Sequence, residues 1–251
     1  MTVSAPLFPQ LRHSGFDLQW TYHADAILRV DFPDAVDELD SIISPTKIPL
    51  SEMVGSGGGE AKVTQRMRRA LSDEGWQKAE IPVEKRINHK VTYSTSHEVD
   101  HVKAFDAGTI ALEIEWNNKD PFYDRDLENF QRLHADGAIS LGVIVTRGTS
   151  FQRDIQSRVL GFAIDHGIQS LTDLHALGIK PTSRQQKDAD NLVRPGITTY
   201  AQAWAQSFTR DKFASSTTHW EQLEKRLSRG VGSPCPLVSI GIPIDVLACD
   251  E

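Results

Sequence analysis

Apolar positions along the chain follow two spacings. Short runs rich in β-branched residues predict buried strands, at 76–83, 109–116, 139–146 and 237–242. Apolar residues three or four positions apart predict helices, at 35–43, 60–74, 124–135, 199–208 and 219–229. Irregular chain is expected at 1–20, 147–154 and 184–191, and a strand or short helix at 22–31. Strands alternating with helices predict an α/β fold with a mixed central β-sheet flanked by helices.

Two carboxylates share one face of the predicted strand 109–116. Side chains alternate faces along a strand, so Glu113 and Glu115 point the same way, and the residues between them face the core. Adjacent carboxylates repel each other, and one tends to stay protonated unless a divalent cation lies between them. Mg²⁺ prefers oxygen ligands of this kind. Asp100 lies upstream in an apolar setting, where an acid also needs a partner.

Three segments of the chain carry a family resemblance: residues 22–28, 81–86 and 99–148, the last of which holds Asp100 and the Glu-Ile-Glu strand. In order and rough spacing, residues 20–155 resemble the BglII type of restriction endonuclease, within the PD-(D/E)xK nuclease superfamily. The resemblance implies a restriction-endonuclease-like fold in a single domain over 1–251. It places the catalytic core at about 76–155.

The chain departs from the superfamily pattern at one motif position. Most members carry Lys two residues after the Glu, and the BglII enzyme carries Gln, whereas Glu115 gives Glu-x-Glu as in the BamHI enzyme. The added carboxylate is compatible with metal binding, but it leaves no lysine at the motif position to activate water. Lys103 and Lys119 are near in sequence, but neither occupies that position.

The resemblance implies a set of site residues. Asp100, Glu113 and Glu80 would hold the metal, and Glu115 would position or deprotonate the attacking water, with Glu80 in support. Asn and Gln can bond adenine, and Arg can bond guanine. Four residues are therefore predicted to contact DNA: Asn117, Asn118, Gln152 and Arg153. Glu80 could instead form a surface ion pair, and Arg153 could instead contact a phosphate or form a surface salt bridge.

The activity implied by the resemblance is that of a type II restriction endonuclease. Such an enzyme hydrolyses double-stranded DNA with Mg²⁺ and leaves 5′-phosphates and 3′-hydroxyls. One active centre cuts one strand, so a palindromic site implies a two-fold homodimer. The related enzymes named above recognise sites built around GATC, and a GATC-containing site is the expectation here.

Composition is consistent with a folded protein but not with a strongly basic DNA-binding surface. Of the 251 residues, 39% are hydrophobic and 24% charged, which is typical of a folded domain. Apolar runs are too short for a membrane span, and no signal peptide is recognisable, so a cytoplasmic protein is expected. The net charge is −7, yet residues 61–90 hold eight basic and four acidic side chains. That basic stretch is either a DNA-facing surface or a solvated helix face.

Other functions stay open at this point. Residues 97–101 read HEVDH and match the zinc peptidase signature, in which His97, Glu98 and His101 would act from one helix face. The preceding residues favour strand, which argues against that helix. A DNA-repair or non-specific nuclease of the same superfamily would share the metal site. A non-catalytic DNA-binding protein could keep the fold alone.

Overall fold

A mixed β-sheet forms the centre of the computed structural model, which describes residues 5–55, 59–194 and 196–248. The strands are β1 (Asp17–Thr21), β2 (Ile48–Pro49), β3 (Gln77–Ile87), β4 (Lys90–Phe105), β5 (Gly108–Glu115), β6 (Leu141–Arg147), β7 (Leu237–Ile242) and β8 (Leu247–Ala248). Six of them form the central sheet in the order β1–β7–β6–β5–β4–β3, and β2 pairs separately with β8. The strands β5, β6 and β7 run parallel, whereas the outer pairings are antiparallel. The predicted mixed α/β fold is confirmed.

Helices cover both faces of this sheet. They are α1 (Pro9–His13), α2 (Ala24–Asp31), α3 (Pro33–Ile43), α4 (Leu50–Val54), α5 (Lys62–Asp73), α6 (Phe122–Ala135), α7 (Thr149–Asp165), α8 (Leu171–Ala176), α9 (Ser183–Leu192), α10 (Tyr200–Lys212) and α11 (Trp220–Leu227). A 3₁₀ turn, Ile244–Val246, precedes β8. The helices predicted at 35–43, 60–74, 124–135, 199–208 and 219–229 are confirmed, with small shifts at their ends.

Each face of the sheet has its own hydrophobic core. Ile110, Leu112 and Ile114 of β5 belong to the larger core, which is shared with α1, α2, α3, α5, α7, α8 and α10. Ala111, on the opposite face of β5, belongs to a smaller core shared with α6 and α11. Because side chains alternate along a strand, the odd-numbered residues of β5 face α6. The carboxylates of this strand therefore point toward α6.

Three segments predicted to be irregular are ordered. Residues 1–20 contain α1 and β1, residues 184–191 lie within α9, and a helix begins at Thr149 directly after β6. In α9, Thr182 and Gln185 form a reciprocal capping box: each side chain accepts a hydrogen bond from the other residue's backbone N–H. Such a cap stabilises the start of a polar helix, which explains why the polar stretch 184–191 is helical although its composition predicts a loop.

A long hairpin leads from the sheet edge to β5. Strands β3 and β4 are joined by Asn88 and His89, which both have positive φ, of 49° and 66°, as a type I′ turn requires. Near its base the pairing shifts by one residue between Gln77 and Ala79, which forms a β-bulge. Bulges redirect the strand and its side chains. The one extra residue of this bulge lies on β4, in the interval that contains Asp100.

The glycine-rich composition of residues 55–59 predicts a mobile loop, and residues 56–58 of this stretch lie outside the described ranges. In the part of the chain that is described, no helix combines the length and apolar character needed to cross a bilayer.

Packing between the sheet and α6 depends on a glycine of β6. A Cβ built at Gly142 would lie 2.5 Å from Phe130 Cδ2 and 2.9 Å from Leu237 Cδ2. Gly142→Ala is therefore expected to destabilise the protein by about 1–3 kcal/mol, because it overfills a packed core. Chemical denaturation would measure the change.

Gly161→Ala is the matched control for this substitution. Gly161 lies within α7, and a Cβ there meets nothing within 4 Å, so the change should stabilise the helix by up to about 1 kcal/mol. Equal effects of the two substitutions would contradict the packing described for Gly142.

Candidate active site

Carboxylates from a strand and a helix meet at the end of β5. Glu113 and Glu115 are 3% and 2% exposed, and Asp126 of α6 is 0% exposed. Asp126 belongs to the buried stripe of α6, together with Tyr123 and Phe130. Its side chain therefore points at the sheet. Three acids thus lie in a region from which water is largely excluded.

Asp100 joins this cluster where β4 separates from β5. The pairing of the two strands starts at His101 with Leu112, so Asp100 and Glu113 would be the next pair. Instead, the Asp100 backbone N–H donates to Glu113 Oε1 at 3.3 Å. The Glu113 carboxylate closes the end of the strand pairing, and the Asp100 side chain is exposed beside it.

Burial makes the charged form of Glu113 costly. Burial first, and then the charges of Asp126 and Asp100, raise the pKa of Glu113 to about 10. In the absence of a cation this carboxyl therefore carries a proton at neutral pH. A divalent cation would remove both the repulsion and the need for that proton.

Glu115 and Asp126 form a second pair. Burial and the Asp126 charge raise the pKa of Glu115, and burial raises that of Asp126 as well. A neutral amide and a cation stabilise this pair. Asn118 Nδ2 donates to Glu115 Oε2 at 2.9 Å. The Arg125 guanidinium lies 2.7 Å from Asp126 and 3.8 Å from Glu115. Arg125 lies over the Phe122 ring, with its side chain half exposed.

Hydrogen bonds also fix the backbone that carries Glu115. The Thr146 hydroxyl donates to the Glu115 carbonyl at 2.8 Å, so the Tyr123 hydroxyl must donate to Thr146 Oγ1, 2.5 Å away. This chain of bonds joins α6, β6 and β5 at one point and holds the end of β5 in place.

A groove of about 700 Å³ opens beside these acids. Its lining includes Asp100, Asn117 and Asn118, together with Lys62 and Thr64 from the first turn of α5. The side-chain oxygen of Asn117 is buried and has no hydrogen-bond partner among the described residues. An unpaired buried oxygen is costly, and a ligand in the groove could supply the missing donor.

Comparison with known proteins identifies the family. The family model described as restriction endonuclease BglII/BglIII matches residues 16–242, which is most of the chain. The chain belongs to the BglII/BglIII restriction endonuclease family. It is therefore a nuclease that cuts double-stranded DNA at specific sites. The search of curated proteins gave no match.

The restriction endonuclease fold brings three of the predicted catalytic residues together. Asp100 hydrogen-bonds Glu113, and Asp126 lies near both Glu113 and Glu115. Glu80, in contrast, is exposed on β3 and lies opposite Glu98. None of the contacts between described residues links Glu80 to Glu113. Its part in the site stays a prediction.

The residues predicted to contact DNA fall into two groups. Asn117 and Asn118 line the groove. Gln152 and Arg153 lie on the first turn of α7 and are engaged within the protein. Gln152 accepts from Arg147 and donates to the Phe213 carbonyl. The exposed Arg153 is paired with the neighbouring Asp154. Base contacts by these two side chains stay a prediction and would require those bonds to be exchanged.

The zinc peptidase alternative lacks the helix it requires. Residues 97–101 lie within β4, and the His97 ring hydrogen-bonds Asn129 rather than facing a metal with His101. Within the described residues, no three His, Cys, Asp or Glu side chains converge as a ready-made metal cage.

Asp126 and Arg125 are site residues that sequence reasoning did not identify. From the sequence alone, acids at the start of a helix are explained by their favourable interaction with its dipole. A signal was nevertheless present, because Asp126 falls in the apolar stripe formed by Tyr123, Leu127 and Phe130. An acid in a buried stripe needs a partner, and the preceding strand supplied the candidates.

Replacing Glu113 by Gln, which needs no proton to stay neutral, should stabilise the metal-free protein at pH 8 by about 1–2 kcal/mol. The folded state keeps a proton on Glu113 up to about pH 10, whereas the unfolded chain releases it above 4.5. The folded state therefore loses stability as pH rises between these values. Gln keeps an acceptor for the Asp100 N–H but needs no proton. Thermal melting should show a larger gain at pH 8 than at pH 5.

Glu128→Gln serves as the control for this measurement. Glu128 is on the same helix as Asp126 but is exposed and paired with Arg132, so the change should stay within about 0.5 kcal/mol at both pH values. A Glu113→Gln protein no more stable than wild type at pH 8 would contradict the raised pKa.

Proposed function

We propose that the chain is a type II restriction endonuclease that uses Mg²⁺ to hydrolyse phosphodiesters at a palindromic DNA site. The observation that carries the proposal is that Asp100 contacts Glu113 at the end of β5, on the strand that also carries Glu115, beside a groove in a member of this family. These acids do not form a complete metal cage among the described residues, so water and substrate phosphate would complete the shell. The catalytic core predicted at about 76–155 contains every residue of this cluster.

The donor set fits a hard divalent cation. Mg²⁺ is commonly bound by one or two carboxylates, with water and substrate phosphate completing its shell. Asp100 and Glu113 offer such a pair, and the raised pKa of Glu113 means that its charged form needs a cation partner. When bound there, Mg²⁺ would stabilise negative charge on the scissile phosphate and on the leaving oxygen. Glu80 is the further ligand that the family resemblance suggests.

The protein groups divide the remaining work. Glu115 would orient the attacking water and accept its proton, and Asn118 would hold the carboxylate in position through the bond to Oε2. Asp126 lies close enough to take part in proton exchange with Glu115. Arg125 is the one cation in contact with this pair among the described residues, and it would offset negative charge as a phosphate approaches. The products would carry 5′-phosphates.

Sequence recognition would come from the residues around the groove. Asn117 and Asn118 have amides suited to base edges, and Gln152 and Arg153 are the second predicted group. One cluster can cut one strand, so cleavage of both strands at a palindrome would take a two-fold homodimer. A GATC-containing site is the sequence we propose for the first assays.

Incubation with phage DNA and Mg²⁺ tests this function. The wild-type protein should give discrete fragments, and end-sequencing should give a palindrome with 5′-phosphate ends. Glu113→Gln should lower the cleavage rate by roughly a hundredfold or more, because it removes charge that acts on the transition state. Light scattering should give twice the 28.0 kDa mass of one chain.

The Glu128→Gln variant should cut like the wild type, since its exposed carboxylate pairs with Arg132 away from the cluster. A smear of fragments would overturn site-specific cleavage and favour a repair-type nuclease. Cleavage that survives Glu113→Gln would remove this cluster from the reaction. A Glu80→Ala variant in the same assay decides whether Glu80 belongs to the site.

A further inference from the structure

A buried arginine ties together separate segments beside the active site. Arg147, the last residue of β6, is 0% exposed. Its guanidinium donates to four residues: Nε to Trp116 O at 2.9 Å and Thr218 O at 3.2 Å, Nη1 to Gln152 Oε1 at 2.8 Å, and Nη2 to Thr217 Oγ1 at 2.6 Å and Thr218 O at 2.7 Å. Three segments are joined: the loop 116–120, the start of α7, and residues 213–219. We call residues 213–219 the brace.

All of these acceptors are neutral. No carboxylate is among them within the part of the chain that the structure describes, and the Phe213 ring lies 4.9 Å from the guanidinium carbon. Burial lowers the pKa of Arg147 to about 10. A buried cation without a counter-ion contributes little net stability. What the guanidinium offers is its rigid fork of donors, and here the fork acts as a cross-link between chain segments.

The brace also pairs with the loop through backbone groups. Asn118 N donates to Thr218 Oγ1 at 3.1 Å, and Thr218 N donates back to Asn118 O at 2.9 Å. Asp120 N donates to Ser216 O at 3.0 Å, and Lys119 forms an antiparallel bridge with Thr217. Arg147 lies at one end of this short pairing and binds the carbonyl and side-chain groups of the brace that face it.

The loop held in this way carries the groove-lining amides. Asn118 reaches back to Glu115, and the Asn117 side-chain oxygen is buried without a partner among the described residues. Bidentate base contacts demand well-defined donor and acceptor positions, and hydrogen bonds weaken steeply when they are misaligned. A loop free to shift by an ångström would still hold DNA but would discriminate less between bases.

We propose that Arg147 is a positioning residue for sequence recognition, which fixes the loop 116–120 against the brace so that Asn117 and Asn118 meet the bases in one geometry. This inference rests on the proposed role of these two asparagines as base contacts. By this inference the brace, in the C-terminal part of the chain, contributes indirectly to the recognition of the DNA sequence.

Arg147→Lys is the decisive variant, because lysine keeps the charge but cannot form the fork. The measured quantity is the ratio of kcat/KM for the cleaved site to kcat/KM for sites with one base changed. This ratio should fall about tenfold. A lower fraction of folded enzyme would scale both values equally and leave the ratio unchanged. Hydrogen exchange at the Asn118, Asp120 and Thr218 amides should become faster.

Two further variants keep the test independent of folding. Thr217→Val removes one acceptor and leaves Arg147 in place, so it should change the ratio in the same direction by a smaller factor. Leu174→Ala is the control: Leu174 is a buried core residue of α8 and does not line the groove. This variant should lose stability and keep the wild-type ratio.

Each outcome decides the proposal. Unchanged amide exchange in Arg147→Lys would overturn the bracing role, and faster exchange with an unchanged ratio would overturn the role in recognition. An equal fall of the ratio in Leu174→Ala would show a general effect of stability and would also overturn it. A wild-type protein that fails to cut at discrete sites rejects the proposed function instead, and amide exchange then decides whether Arg147 holds the loop.

Discussion

Like charges forced together out of water are the constraint on which this site depends. Glu113, Glu115 and Asp126 are almost fully buried at one strand end, with Asp100 at the edge and Arg125 as the neighbouring cation. The chain cannot ionise all of these groups at neutral pH without a partner. The fold therefore holds a cluster that is poorly stable by itself and that the proposed Mg²⁺ would complete. Enzymes commonly give up stability in this way at their active sites.

Holding such a cluster requires a rigid frame, and the frame is assembled from distant parts of the chain. The strand β5 lies between the hairpin strand β4 and the parallel strand β6, and β6 in turn pairs with β7, at residues 237–242. Tyr123 and Thr146 then fix the backbone of Glu115 from two further elements. Because parallel pairing and the brace are long-range contacts, the site is complete only when the C-terminal residues have docked. Residues 213–219 and 237–242 are thus part of the frame that holds the cluster.

The chemistry-bearing strand could be predicted because its information is local. Alternation along residues 109–116 was enough to place Glu113 and Glu115 on one face, and the family resemblance added Asp100. Asp126 could also have been found, since an acid interrupts the apolar stripe of α6. The cross-link by Arg147 could not, because it joins segments about thirty and seventy residues apart, and no local pattern encodes that approach. The helix that carries Gln152 and Arg153 was missed because polar residues of its first turn resemble a loop.

The charge distribution explains why DNA binding by this protein has to rely on precisely placed contacts rather than on net positive charge. Of the eight basic side chains in residues 61–90, five form ion pairs with acids of the same chain: Arg66, Arg68, Lys78, Lys85 and Arg86. The stretch therefore offers less free positive charge than its composition indicates, in a chain of net charge −7. Attraction to the phosphate backbone, which dominates non-specific DNA binding, is correspondingly weak. The buried carboxyls of Glu113 and Glu115, whose pKa values are raised, add no positive charge to compensate. Under the proposed function, stable binding would therefore depend on the bound cation and on base contacts together, and the loop held by Arg147 beside the site is where those contacts would be made.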